Sequence, residues 1–247
     1  MDRVRIAYGE HPEQFGYLYL PETASGPLPV LMVIHGGSWR ATYNLNLGTT
    51  LAVQAARMGY AAWNIEYRRV GAGGRWPEIS ADVRAAWDAV HTHLPEHAPV
   101  DPANARVVGH SAGAQLAVWL AGEPTKHKPV QVISQAGGLD TVTGPARGYK
   151  IEAFEGLFGK SYDQAPETYR SASPMHRLPI GVPVVCLHGS DDVVVPAKVS
   201  RRYASAAQTA GDPVQLHVID GEVHESFLDR SSECWRRTLE VLGAGQK

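Results

Sequence analysis

Two cysteines in 247 residues are too few for the disulfide framework of a small secreted scaffold. Cys186 sits in an apolar strand-like run and Cys234 in a helical pattern near the end, so both read as buried thiols. Nor is there an excess of either charge. Lys+Arg of 23 against Asp+Glu of 25 leaves a formal net charge of -2, which offers no positive field to hold a nucleic-acid backbone. No apolar run reaches membrane-spanning length, and Met1-Asp2-Arg3-Val4-Arg5 enters a strand-like alternation without the apolar core of a signal peptide, so the expected location is cytoplasmic. Internal repeats, low-complexity tracts and Pro/Ser-rich linkers are also missing. The expectation is one domain over residues 1–247.

What the chain does have is an alternation of short β-branched apolar runs with longer helical stretches, the pattern of a mostly parallel sheet with crossover helices. The expected strands are Val4–Tyr8, Gly16–Leu20, Pro29–Ile34, Ala61–Glu66, Ala105–Gly109, Val130–Ser134, Val182–Leu187 and Val214–Ile219. The expected helices are Leu47–Met58, Ala81–Leu94, Ala112–Ala121, Ala197–Ala210 and Ser226–Leu242, which would cover both faces of an eight-stranded sheet. Only Gly137–Pro179 breaks the rhythm. Its glycines, prolines and aromatic residues (Phe154, Phe158, Tyr162, Tyr169) read as a small inserted cap.

Gly109-His110-Ser111-Ala112-Gly113 follows the apolar Val107-Val108 and opens a helical run. A serine at the tip of a sharp strand-to-helix turn needs small residues on either side, and its hydroxyl then projects clear of the sheet as a nucleophile. The plainer alternative is a serine that merely caps the helix. Upstream, Val30–Ile34 reads as a strand buried on both faces and ends in His35-Gly36-Gly37-Ser38-Trp39. Consecutive glycines let successive N–H groups converge, so Gly37 and Ser38, with Ala112 opposite, are the candidate oxyanion donors. His35 reads as a buried hydrogen-bonding residue, and Trp39 as a pocket wall.

Strand Val182–Leu187 runs into His188-Gly189-Ser190-Asp191-Asp192-Val193-Val194-Val195-Pro196. An acid in this loop can orient an imidazole from the next one, and spacing alone leaves Asp191 and Asp192 in competition. Two histidines follow: His217 would be pinned within a strand, whereas His224 stands in the loop after it, the better place for a base.

These features together resemble the compact α/β-hydrolases: the hormone-sensitive-lipase-like esterases, the feruloyl-esterase-like hydrolases and the animal-type kynurenine formamidases. The resemblance runs from about Pro27 to Asp229. It rests on His35–Trp39, Glu66-Tyr67-Arg68-Arg69, Trp76-Pro77 with Asp82, Gly109–Gly113, His188–Pro196 and His224. It implies an α/β-hydrolase fold and places the acid in the fifth position of the HGxxDxxVP pattern, which is Asp192, leaving Asp191 as a solvated turn residue. It also implies that Arg68 is an internal salt-bridge or carbonyl clamp. Ser38 stands where the lipase branch usually has a third glycine, and the large N-terminal cap of that branch is not seen, so the small esterases and formamidases fit better.

The expected activity is hydrolysis of a small carboxylic ester through an acyl-enzyme, with Ser111 as nucleophile, His224 as base and Asp192 as acid. That chemistry needs no metal and no organic cofactor. The expected partner is a small ester or amide, not nucleic acid or membrane, and oligomer formation is left open. Arylformamidase activity is the nearest alternative; a peptidase or a non-catalytic binding module is more remote. Trp39, Phe154 and Phe158 are the candidate substrate wall, and a cap of this length suits short acyl groups.

Overall fold

The computed structural model describes residues 3–23, 26–148 and 151–243. Met1 and Asp2 of the expected N-terminal run, and Tyr149 and Lys150 of the cap, lie outside the described residues. Eight strands form one sheet: β1 (Arg3–Ala7), β2 (Phe15–Tyr19), β3 (Leu28–Ile34), β4 (Ala61–Ile65), β5 (Val100–His110), β6 (Gln131–Gln135), β7 (Val184–Gly189) and β8 (Val214–Ile219). Their order is β1-β2-β4-β3-β5-β6-β7-β8. β1 and β2 pair antiparallel and β2 joins β4 antiparallel, while β4 through β8 are parallel.

The side-chain alternation of β3 explains why it is apolar throughout. Val30, Met32 and Ile34 enter the core on one face, and Leu31 and Val33 enter the core on the other. Helices α2 (Glu78–Thr92), α3 (Ala112–Ala121) and α7 (Lys198–Thr209) close the first face; α1 (Asn46–Arg57) and α8 (Glu233–Val241) close the second. All ten residues of α3 are buried, in keeping with a sequence that is apolar but for Gln115. Between β6 and β7 lie α4 (Thr143–Ala146), α5 (Glu152–Phe158) and α6 (Pro166–Ala172). Both cysteines are free and buried, and burial pushes each thiol up to about 12. No helix among the described residues is long and apolar enough to cross a membrane.

The helix expected over Ser226–Leu242 is broken in two. Residues 224–228 form a 3₁₀ turn, and α8 starts afresh at Glu233, where the Ser232 side chain accepts the Trp235 amide as a cap at 2.9 Å. The 3-4 periodicity runs through the break, and the serine that ends it was read as helical.

Chain order reverses beside β3: the connection after β3 leads to β4 on one side, while β5 lies on the other. The loops leaving β3 and β5 therefore part at their C-terminal ends, which is where an open parallel sheet forms a crevice.

Candidate active site

Gly109 is the last residue but one of β5 and Gly113 lies in the first turn of α3, and each is required by close approach. A Cβ on Gly109 would lie 2.2 Å from the Gly113 carbonyl oxygen, and one on Gly113 would lie 2.1 Å from that of Ile34. Between them Ser111 takes φ 55 and ψ -116, a strained conformation for a residue with a side chain. Main-chain bonds hold it there. The Ser111 amide donates to the Gln135 carbonyl at 2.8 Å, and its own carbonyl accepts from Ala114 and Gln115 at 3.1 and 3.2 Å. Although Ser111 occupies the N-cap position of α3, its side chain makes no capping bond, so the plainer helix-cap role has no geometry behind it.

The loop after β3 carries three consecutive residues with positive φ: Gly37 at 108°, Ser38 at 52° and Trp39 at 58°. Ser38 and Ala112 line the same cavity as Ser111. Gly37 does not line it; its position against Tyr43, where a Cβ would come within 2.3 Å, makes it the turning point of the loop. His35 is buried under this loop. Its Nδ1 lies 2.7 Å from the Gly36 carbonyl and its Nε2 2.8 Å from Glu66 Oε1, while Tyr67 stacks on the ring at 4.5 Å and donates through its hydroxyl to the His35 carbonyl at 3.0 Å. Glu66 also accepts the Leu45 amide at 3.0 Å and pairs with Arg69 at 3.0 Å. Arg68 clamps Asp82 through Nε and Nη2, the shorter contact being 2.7 Å. The Glu66–Arg69 stretch is thus an internal brace for the loop, with no side chain in the cavity lining.

His224 follows β8, and its Nδ1 lies 2.7 Å from Asp192 Oδ2. The other ring nitrogen is the one left to act as base. Asp192 Oδ1 accepts the Val194 and Val195 amides at 2.9 and 2.8 Å, and His188 Nε2 stands 3.2 Å from Oδ2. Burial alone would push the Asp192 carboxyl up, but the hydrogen bonds of His188, His224 and Val195 hold it well below the usual carboxylate range. Asp191 is exposed and receives only the Ser190 hydroxyl, at 2.7 Å. Among the described residues no group of three or more His, Cys, Asp or Glu side chains is placed to hold a metal ion.

Two histidines matter beyond those read from the sequence. His188 is fully buried; its Nε2 donates to the Val195 carbonyl at 2.6 Å and its Nδ1 accepts the Ser200 hydroxyl at 2.8 Å, which fixes the acid loop. His110, beside Ser111, donates from Nε2 to the His224 carbonyl at 2.9 Å and so ties the turn after β5 to the loop after β8. Burial and the neighbouring His224 push its imidazole down to about 4, keeping it neutral. Replacing His110 with Ala should cost about 1–3 kcal/mol of stability by leaving that carbonyl without its donor. It should also lower kcat more than it raises KM, because the base loses its anchor; chemical denaturation and steady-state kinetics check both.

The cavity beside Ser111 has a volume of about 380 Å³. Trp39 and Phe154 line it, their rings 5.8 Å apart. Trp39 is fixed by a bond from Nε1 to Gln115 Oε1 at 3.2 Å, and Gln115 in turn donates to the Ala172 carbonyl of α6 at 2.7 Å. Phe158, expected with them in the wall, stands apart from the lining. It packs on Tyr169 at 4.1 Å and Trp76 at 6.3 Å, inside the cap's own core, because the apolar pattern of α5 does not say which aromatic turns inward.

Residues 17–206 match the family model described as BD-FAE. Over 92% of its length the chain is 27% identical to a probable isoprenylcysteine alpha-carbonyl methylesterase, ICMEL1, of Arabidopsis thaliana, and covers 51% of that protein. It is also 27% identical to Esterase LipC of Mycobacterium tuberculosis, covering 81% of this chain and 54% of that one. The chain spans about half the length of these curated relatives. Among solved structures, the thermophilic esterase Est2 of Thermogutta terrifontis with propionate bound superposes with a TM-score of 0.78 at 22% identity, over 97% of this chain and 91% of that one.

Proposed function

The chain belongs to the BD-FAE family and has the α/β-hydrolase fold, and on that premise we propose that it is a serine hydrolase of small carboxylic esters. Ser111 Oγ attacks the ester carbonyl carbon as His224 Nε2 takes the hydroxyl proton, and the oxyanion is met by the amides of Ser38 and Ala112. A donor of that kind typically contributes about 3 kcal/mol to the transition state. Collapse of the tetrahedral intermediate breaks the bond to the alcohol, which leaves with the proton from His224. Water then attacks the acyl-enzyme, giving up its proton to the same nitrogen, and releases the acid with Ser111 restored.

One observation carries this reading. Ser111 is held at φ 55 with no capping bond, on the wall of a cavity whose neighbouring loops hold a buried His224–Asp192 pair. Strain of this kind is kept where function requires it. The similar proteins, a probable methylesterase and two esterases, agree in kind.

Short acyl groups fit the cavity best. Trp39 and Phe154 bound it on the nucleophile's side, and the esterase similar in fold was solved with propionate. Across a 4-nitrophenyl ester series, kcat/KM should peak between acetyl and butyryl and fall at least about tenfold by decanoyl, since a chain that outgrows its place must displace the wall at a cost of about 1–3 kcal/mol, more than the ~0.8 kcal/mol that a buried methylene returns. An optimum at long chains would point to a lipase-like site. Feruloyl esters and N-formylkynurenine belong in the same panel: faster turnover of the formamide than of any ester would move the reading to amide hydrolysis.

A further inference from the structure

The lining of the cavity at Ser111 is not uniform. Where the cap and α7 build it, the exposed side chains of Arg147, Lys198 and Arg202 line it, with Asp140 as the one carboxylate of the lining. Lys198 and Arg202 are four residues apart on α7 and so share one helix face. Asp140 is already committed. Its Oδ1 accepts the Val142 and Thr143 amides at 3.1 and 2.9 Å, and its Oδ2 lies 3.2 Å from Arg202, which also donates to Thr143 Oγ1 at 2.8 Å. Three cations against one engaged acid leave a local positive excess, in a chain whose overall balance is slightly negative. The start of α7 adds to it. Ala197 supplies no side-chain cap, and Pro196, Lys198 and Val199 of this first turn line the cavity, so the positive pole of a 12-residue helix ends there.

Apolar walls alone would suit a neutral ester, and they give the positive excess of the lining no counterpart. We propose that the cavity takes an ester bearing a carboxylate, which Arg147, Lys198 and Arg202 hold while the ester carbonyl lies at Ser111. The inference rests on the ester-hydrolase reading and adds the charge of its substrate. The carboxylate can belong to the acyl group or to the leaving group, and the same cations would recognise either.

Matched pairs separate these cases. Mono-4-nitrophenyl succinate against 4-nitrophenyl butyrate places the charge on the acyl side, and 4-acetoxybenzoate against phenyl acetate places it on the leaving group. In one pair the anionic ester should have the higher kcat/KM by at least about tenfold at low ionic strength, an advantage that shrinks as salt is raised. Lys198→Gln and Arg202→Gln should each reduce that ratio at least about threefold. Lys198→Gln disturbs no bond to the cap, so a lowered ratio in that variant cannot be ascribed to a loosened Asp140 loop. Equal or lower kcat/KM for the anionic ester in both pairs would overturn the proposal. No turnover of any of the four esters would instead overturn the ester-hydrolase reading. In that case calorimetry on the Ser111→Ala protein still decides the charge: tighter binding of monoethyl succinate than of ethyl butyrate supports it, and equal binding refutes it.

Discussion

Ser111→Ala should lower kcat by at least about 10⁴-fold while shifting the melting temperature by no more than a few degrees. The size of the kinetic effect follows from the hydroxyls at hand: among the described residues of the lining, Ser38, Ser111 and Thr143 carry one, Thr143 Oγ1 is engaged by Arg202, and Ser38 sits on the loop after β3 and not at the elbow. The small thermal effect follows from what fixes the elbow. The Ser111 backbone is held by its own amide and carbonyl, and by the packing of Gly109 on Gly113, none of which involves the hydroxyl. Alanine meets the same steric cost at φ 55 as serine, so the strain is common to both proteins. Residual activity above about one per cent of wild type, with an unchanged melt, would remove Ser111 from the mechanism.

Much of this arrangement was legible in the sequence because the relevant signals are local. β3 shows its burial on both faces as an unbroken apolar run, and the residues after β3, β5, β7 and β8 are contiguous short motifs at strand ends. Ser111, Asp192, His224 and the candidate oxyanion donors Gly37, Ser38 and Ala112 could therefore be proposed from strand–loop context together with family resemblance. What escaped is long-range. That His110 anchors the His224 carbonyl, 114 residues away, depends on how two loops pack, and His188 shows its bond to Ser200 only once α7 lies against β7. Phe154 and Phe158 are equally apolar, and only the tilt of α5 sends one toward the cavity and the other toward Tyr169. Nothing local to α7 marks Lys198 and Arg202 as cavity residues; that depends on the cap beside them, where Arg202 meets Asp140 and Thr143. The break between the 3₁₀ turn at His224–Leu228 and α8 was missed because apolar periodicity survives it.

Asp192→Asn tests the acid at the level of single hydrogen bonds. Oδ1 of Asp192 accepts two amides, from Val194 and Val195, so an asparagine must keep its carbonyl oxygen on that side. Its NH₂ then faces His224 Nδ1, which has to accept instead of donate. The imidazole is driven to the tautomer with its proton on Nε2, where it can no longer take one from Ser111. A fall in kcat of about 10⁴-fold is expected, the size of effect that the wrong tautomer has in a serine-protease triad. Asp191→Asn should change kcat no more than about threefold, because the Asp191 side chain is exposed and accepts the hydroxyl of its neighbour Ser190. Stability supplies a second readout. The Asp192 carboxyl lies below its unfolded value near 3.9, so its contribution is fully present above about pH 4 and is lost as the pH falls through the depressed folded value. The asparagine protein lacks that contribution at every pH. Melting curves of the two proteins should therefore stand apart at neutral pH and draw together as the solution is acidified below about pH 4. A larger kinetic loss for Asp191→Asn than for Asp192→Asn, or a gap in melting temperature that widens in acid, would transfer the role to Asp191 or deny it to both.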